Sequence, residues 1–339
     1  MTDDASQATV VLYRADMEVA SWPLGLGGRL DLATVEELAR LQLAARRLGL
    51  TVRVRGARCF GPAVASRLTT SAHHRRRPAM PTRNEAPIGA PCWIDLFTTD
   101  PDASRAFYGE LFGWTSEDTG EEFGHYINFA KDGQAVGGAM RNDGAAGMPD
   151  VWSVYLATDD ARKTVETAEA NGGHVHIPPM DVADFGTMAM VADAGGAGIG
   201  LWQPKTFKGF EVHAEPGAPA WFELLTRDYD TSVAFYRDVF GWDTHAMSDS
   251  PEFRYTTCGE GDKQEAGIMD AGSFLPEGVP NHWSVYFAVA DTDDALARTV
   301  ELGGAVVDAA QDTPYGRLAT GSDVTGARFK LVAGMTPAP

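Results

Sequence analysis

The sequence predicts an α+β chain of four βαβββ units, set as two tandem pairs and preceded by a shorter, incomplete α/β segment. Two repeats carry that prediction. The stretch "CWIDLFTTDPDASRAFYGELFGW" from Cys92 returns as "AWFELLTRDYDTSVAFYRDVFGW" from Ala220. Trp93, Asp100, Phe107, Tyr108, Phe112, Gly113 and Trp114 thus recur 128 residues later as Trp221, Asp228, Phe235, Tyr236, Phe240, Gly241 and Trp242. A second stretch, "WSVYLATDDA" from Trp152, returns as "WSVYFAVADTDDA" from Trp283, 131 residues on. Each copy also echoes itself, because Trp93 precedes Asp100 by seven residues as Trp152 precedes Asp159. Self-similarity at two scales indicates a duplicated module built from duplicated units.

Residues 1–77 stand apart from the repeats. "DLATVEELARLQLAARRLGLTVRVRG" opens with Asp31 as a helix cap, places Val35, Leu38, Leu41, Ala45 and Leu48 on one helical face, and stops at Gly49 before an alternating strand. This helix-then-strand text resembles part of a STAS domain. The paired phosphoacceptor of regulatory members is missing and the next helix has no periodic counterpart, so a STAS-like remnant is expected. Residues 78–91, "PAMPTRNEAPIGAP" with its prolines, have linker composition. Met80 stands just before the duplicated region and offers a second start of translation, which the intact mass of the native protein tests.

The first module is expected over 92–205. "CWIDLFTT" alternates as a half-buried strand, Asp100 and Pro101 form a helix entry with cap and N1 proline, and Gly113 closes that helix. Strands follow near Thr115–Asp118, Gly124–Ala130 and Gln134–Arg141. From Trp152 the same order returns, with a helix near Asp160–Asn171 and strands near His174–Ile177, Thr187–Val191 and Ile199–Gln203. The second module, 217–335, repeats this with helices beginning near Asp228 and Asp291.

Four βαβββ units in two pairs, with "DPDASRAFYGELFGW", "GGHVHIPPMDVADFGTMAMVADAGGAGIGLWQP" and "NHWSVYFAV" as text, resemble the vicinal oxygen chelate superfamily of glyoxalases, extradiol dioxygenases and bleomycin-resistance proteins. The resemblance covers about residues 88–335 and is nearest to a tandem glyoxalase-like subgroup. It implies that each pair of units curls around one cleft, giving two pockets. It also implies where a metal would sit, since metal-dependent members carry His, Gln or Glu on the first strand of each unit and Glu on a last strand. Here those positions read Trp93, Trp152, Trp221 and Trp283, then Gly200 and Lys330. Indole donates and does not ligate, and an ammonium repels a cation, so no metal and no other cofactor is expected.

The expected pockets are therefore aromatic. Side chains two apart on a strand share a face, which sets Trp93, Asp95 and Phe97 together, and likewise Trp221, Glu223 and Leu225. Trp152 and Trp283 with Phe287 are expected to face them. Trp93, Phe97, Trp152, Trp221, Trp283 and Phe287 form the candidate ligand wall, and an alternative has the tryptophans plug the pocket as core. Asp95 and Glu223 supply charge complementarity to a cation or serve as general bases, with Arg141 and Arg317 as possible neutralising partners. His174 and His176 share a strand face, His282 should point away from the pocket, and Gln134, Gln264 and Glu265 open strands near it.

Composition narrows the function classes. The 339 residues carry a formal net charge of −19 although the first 85 are net basic, through runs such as "HHRRRP", so the duplicated body is more acidic still and repels nucleic-acid phosphates. No apolar run would span a bilayer and no secretory signal opens the chain, which makes the cytoplasm the expected location and a small molecule the expected partner. Cys59, Cys92 and Cys258 are scattered, with neither disulfide nor zinc spacing. The expected function is metal-free binding of a hydrophobic or cationic metabolite, for sequestration or detoxification. One alternative is a glyoxalase-type lyase or isomerase acting on reactive carbonyls with Asp95 or Glu223 as base; another is regulatory partner binding through the STAS-like segment.

Overall fold

The computed structural model describes residues 9–14, 17–23, 51–55, 85–144 and 147–335, and the chain divides into two units, Met1–Met80 and Pro81–Pro339. In the first unit, β1 (Thr9–Arg14), β2 (Met17–Pro23) and β3 (Thr51–Arg55) form an antiparallel sheet of order β2-β1-β3. Strand β3 coincides with the alternating stretch after Gly49; the helix expected from Asp31 lies outside the described residues.

The second unit holds the four βαβββ units. The first is β4 (Pro91–Thr98), α1 (Pro101–Phe112), β5 (Thr115–Asp118), β6 (Ile127–Lys131) and β7 (Gln134–Arg141). The next is β8 (Val151–Ala157), α2 (Ala161–Ala170), β9 (His174–Val182), β10 (Gly186–Ala192) and β11 (Gly198–Pro204). The second module repeats them as β12 (Pro219–Thr226), α3 (Tyr229–Phe240), β13 (Thr244–Ser250), β14 (Phe253–Cys258) and β15 (Ala266–Asp270), then β16 (His282–Ala288), α4 (Thr292–Glu301), β17 (Ala305–Thr313), β18 (Gly316–Ser322) and β19 (Arg328–Ala333).

Local chemistry explains the helix ends. Asp100 caps α1 by accepting from the Ala103 N–H at 3.0 Å, a contact worth about 1 kcal/mol, and Pro101 occupies the first turn where no N–H is needed. Gly113 and Gly241 close α1 and α3 in the left-handed conformation, at φ 74° and 69°, which is nearly free only for glycine.

Each module is one eight-stranded sheet, β5-β6-β7-β4-β8-β11-β10-β9 in the first and β13-β14-β15-β12-β16-β19-β18-β17 in the second. The first strands of the two units pair antiparallel at the centre, while each also runs parallel to the last strand of its own unit. Helices cover one face, here the inner face, and the inner faces of both modules share one aromatic core. Phe287 of the second module packs 4.8 Å from Phe112 and 5.5 Å from Trp152 of the first, and Phe329 lies 6.0 Å from Phe107. Two reciprocal hydrogen-bond chains cross the seam. The Tyr108 hydroxyl accepts from Trp152 Nε1 at 2.9 Å and donates to Asp323 at 3.1 Å; the Tyr236 hydroxyl accepts from Trp283 Nε1 at 2.8 Å and donates to Asp193 at 3.1 Å. Burial lifts the carboxyl pKa of both Asp193 and Asp323 above the ordinary range. The outer faces, away from the helices, remain for function.

Candidate functional site

Strand parity decides what reaches an outer face. In the first module Trp93 pairs with Tyr155, Asp95 with Ser153 and Phe97 with Val151. These residues share the outer face, whereas Ile94, Leu96, Val154 and Leu156 are fully buried on the inner one. Trp152 pairs with Leu96 and is therefore inner, as its bond to Tyr108 requires. Trp283 is inner for the same reason, and Phe287 is completely buried in the shared core. The expectation that Trp152, Trp283 and Phe287 line the pockets is thus corrected. The cause is a one-residue slip: the α2 cap is Asp160 rather than Asp159, and seven residues before Asp160 stands Ser153. Counting back from the α4 cap, Asp291, likewise gives Ser284. A slip of one residue exchanges the two faces of a strand.

At the centre of the first outer face, Asp95 accepts from Trp93 Nε1 at 2.9 Å and from the Tyr126 hydroxyl in a short contact, and Trp93 Nε1 also reaches the Tyr126 oxygen at 2.9 Å. The Tyr155 hydroxyl stands close enough to the same carboxylate to favour its charged form. Burial raises the Asp95 pKa, against the lowering influence of these donors, and burial with the Asp95 charge pushes both tyrosines well up. Glycines make room for the rings: a Cβ at Gly138 would fall 1.8 Å from the Tyr126 oxygen, and one at Gly200 would fall 2.2 Å from the Tyr155 ring.

Trp93 does not face open solvent. The segment 205–218 between the modules straps across it, with Phe207 edge-on at 4.8 Å and Phe210 at 5.7 Å. The strap is pinned by the Phe210 N–H to the Cys92 carbonyl at 2.9 Å and the Trp202 Nε1 to the Phe207 carbonyl at 3.0 Å. It lies so close to β4 that a Cβ at Gly209, φ 102°, would sit 2.1 Å from the Cys92 oxygen. Trp93 is accordingly 5% exposed.

The second outer face keeps the plan and changes the charge. Glu223 accepts from the Tyr255 hydroxyl at 3.0 Å, from the Tyr286 hydroxyl at 2.7 Å and from Lys330 Nζ at 2.9 Å, while Trp221 Nε1 donates to the Tyr255 oxygen at 2.9 Å. Lys330 Nζ also reaches the Tyr286 oxygen at 2.9 Å. Burial and the Glu223 charge push Tyr255 and Tyr286 well up. Trp221 is only half-buried. His282 pairs with Leu225 and so lies on this outer face, contrary to the expectation from its neighbour Trp283. Its Nδ1 donates to the Pro280 carbonyl at 2.9 Å, and burial lowers its pKa.

Other candidates fall elsewhere. Arg317 is held by Asp293 at 2.8 Å and Asp312 at 3.0 Å, and Arg141 lines a groove with Arg105, Asp118 and His125; neither neutralises Asp95 or Glu223. His174 and His176 stack edge-on at 5.3 Å on exposed strand β9. Gln134 and Gln264 sit half-buried at hairpin turns entering β7 and β15, and the Glu265 N–H bonds to the Cys258 carbonyl at 2.9 Å. Tyr126, Tyr155, Tyr255 and Tyr286 were the residues parity alone did not single out, though the repeated "WSVY" carries two of them.

A divalent metal does not fit these centres. Each offers one carboxylate among phenols and an indole, and in the second the Lys330 ammonium holds the place of the cation. Among the described residues, no group of three His, Cys, Asp or Glu side chains could hold a metal ion, and no helix is long and apolar enough to cross a membrane.

The sequence profile of the Glyoxalase/Bleomycin resistance protein/Dioxygenase superfamily matches residues 92–201 and 218–331. The chain is 38% identical to "Putative glyoxylase CFP32" of Mycobacterium bovis over 265 residues, which is 77% of this chain and 99% of that protein. It is 38% identical to the anthracycline biosynthesis protein DauV of Streptomyces sp. strain C5 over 72% of this chain and 93% of that protein. The Mn(II)-bound glyoxalase from Novosphingobium aromaticivorans shares the fold at a TM-score of 0.53 and 16% identity, covering 74% of this chain and 84% of that one.

Proposed function

The chain belongs to the Glyoxalase/Bleomycin resistance protein/Dioxygenase superfamily, and from that premise we propose that it binds a small hydrophobic or cationic metabolite on its outer faces without a divalent metal. Sequestration or detoxification of that metabolite is the proposed role. The observation that supports it is the make-up of the two centres, where an indole, two phenols and one carboxylate stand together. Such a surface offers ring stacking and directed hydrogen bonds, and the Asp95 carboxylate, with no basic side chain among its hydrogen-bond partners, suits a cation. Two relatives named for anthracycline biosynthesis make a planar polycyclic ligand a rational first probe.

Calorimetric titration with an anthracycline should give saturable binding that EDTA leaves unchanged and Trp221→Ala weakens. Elemental analysis after incubation with zinc, nickel, manganese and iron(II) should find no retained ion. One tightly held ion per module would sink the metal-free reading and bring metal-dependent chemistry forward.

Lyase or isomerase chemistry is the second reading, and the raised pKa of Asp95 favours it there, since burial moves that carboxyl toward the range of a general base. Glu223 suits the role less because Lys330 holds it as an ion pair. EDTA-resistant turnover of methylglyoxal with glutathione, lost in Asp95→Asn, would establish it.

A further inference from the structure

The two outer faces have the same scaffold and opposite charge. Three outer positions around the β16–β19 junction differ between the modules. Lys330, paired with Tyr286, stands where Gly200 pairs with Tyr155; Arg328, paired with Ser322, stands where Gly198 pairs with Ala192; His282, paired with Leu225, stands where Val151 pairs with Phe97. Lys330 and Glu223 cancel each other across 2.9 Å. Arg328 is left over.

Arg328 is unusual in its own module. Arg237, Arg254, Arg298 and Arg317 are each held by carboxylates, and Arg227 by the carbonyls of Leu275, Pro276 and Val279. In a chain of net charge −19, Arg328 makes no ion pair among the described residues and is exposed on the same face as half-buried Ser284, His282 and Trp221. A guanidinium presents a planar fork of donors that matches a carboxylate or enolate. Continued two residues beyond its first pair, Tyr286 with Lys330, the parallel register sets Arg328 beside Ser284, two residues from the Trp221–Tyr286–Lys330 row. Two residues of strand span about 7 Å, the length of a bicyclic aromatic ring system.

We infer that the second module takes a planar aromatic anion, its oxyanion held by Arg328 with Ser284 and Lys330 beside it and its ring lying against Trp221. This rests on the outer-face binding proposed above and assigns the anionic class to one module only. The first module has glycines in place of both cations and its tryptophan under the strap, so it takes no such ligand.

The probes are 2-naphthoate and its neutral isostere 2-naphthamide, titrated calorimetrically into the full chain. The carboxylate should bind about tenfold tighter than the amide, as expected for a charge-assisted bond. Arg328→Gln should remove that preference, Trp221→Ala should weaken both probes, and Arg317→Gln, whose guanidinium is held by Asp293 and Asp312, should change neither. Equal affinity for both probes, or a preference that survives Arg328→Gln, overturns the anionic assignment and leaves outer-face binding standing. A preference lost equally in Arg317→Gln would show that the overall charge of the protein, and not Arg328, sets it, and overturns the assignment as well. If neither probe binds, the assignment falls, while the anthracycline titration decides separately whether the outer-face binding role stands.

Discussion

The two modules share an inner face and differ on the outer one. Inside, the Trp–Tyr–Asp chains through Tyr108 and Tyr236 match in their distances, and Gly113 and Gly241 close their helices alike, although Asp100 caps its helix by a side-chain bond and Asp228 does not. Outside, Lys330 stands in one copy where Gly200 stands in the other, and a strap covers Trp93 in that other copy. Inner residues such as Phe287 and Phe329 pack against the other module, so a change there disturbs both copies, while under the proposed function each outer face answers to its own ligand. A duplicated fold can thereby keep one architecture and separate two binding chemistries.

The sharpest way to break this division is to truncate one tryptophan of each kind. Trp152→Ala or Trp283→Ala should cost about 3–5 kcal/mol in urea unfolding, because each leaves a large cavity in the shared core and takes the indole donor from a tyrosine hydroxyl that keeps only its bond to an aspartate. Trp221→Ala, at a half-buried outer position, should cost clearly less. Equal losses at the three sites would mean that the faces have been assigned wrongly.

A second comparison sets the two carboxylates against each other. Glu223→Gln strands the Lys330 ammonium beside two phenols and should cost about 2 kcal/mol, less than a fully buried pair because Lys330 keeps 20% of its side chain exposed. Asp95→Asn removes a carboxylate whose folded pKa is raised by burial and should be close to neutral at pH 7. The sign follows from linkage. A folded pKa above the unfolded value means that the native state binds more protons, so Asp95 lowers stability as pH rises from about 3.8 through its folded value. Asp193 and Asp323 act in the same direction and remain in the variant. In urea titrations from pH 4 to 8 the stability of the unaltered protein minus that of Asp95→Asn should therefore fall as pH rises, whatever the slope of either alone; a flat difference would deny the desolvation of Asp95.

Much of this was legible from the chain. The repeats located four βαβββ units, and Asp100, Pro101 and Gly113 marked a helix that the structure begins at Pro101 and ends at Phe112. Parity correctly joined Trp93 to Asp95 and Trp221 to Glu223 in shared networks, through Tyr126 and Tyr255 respectively. It failed at Trp283, read in the same phase as its copy, and at Trp152, where "TDDA" offers two aspartates as cap and local sequence does not say which one accepts the helix N–H groups. Asp160 does, accepting from Arg162 and Lys163. Contacts between segments far apart in sequence, such as Phe207 on Trp93 or Phe287 on Trp152, leave no periodic trace. The Lys330–Glu223 pair was hidden for the same reason: 107 residues separate its members, and only the sheet order brings them together.

The strap gives the gentlest test of the comparison. Phe207 meets Trp93 edge-on at 4.8 Å and Trp202 at 5.9 Å, and is itself half-buried. Its removal as Phe207→Ala should cost about 1 kcal/mol, the worth of an aromatic pair, since Phe210 and the backbone bonds of 205–218 still hold the strap in place. Trp93 should then meet water, shifting tryptophan emission to the red, and the first outer face should approach the openness of the second. If the strap is what separates the modules in access, Phe207→Ala should also add a weaker second site for a neutral planar probe such as 2-naphthamide, visible as a second calorimetric step. That new site should show no preference for 2-naphthoate, because Gly198 and Gly200 supply no cation where Arg328 and Lys330 stand in the other copy. A second step that did favour the carboxylate would show that access, rather than charge, is the difference between the two faces.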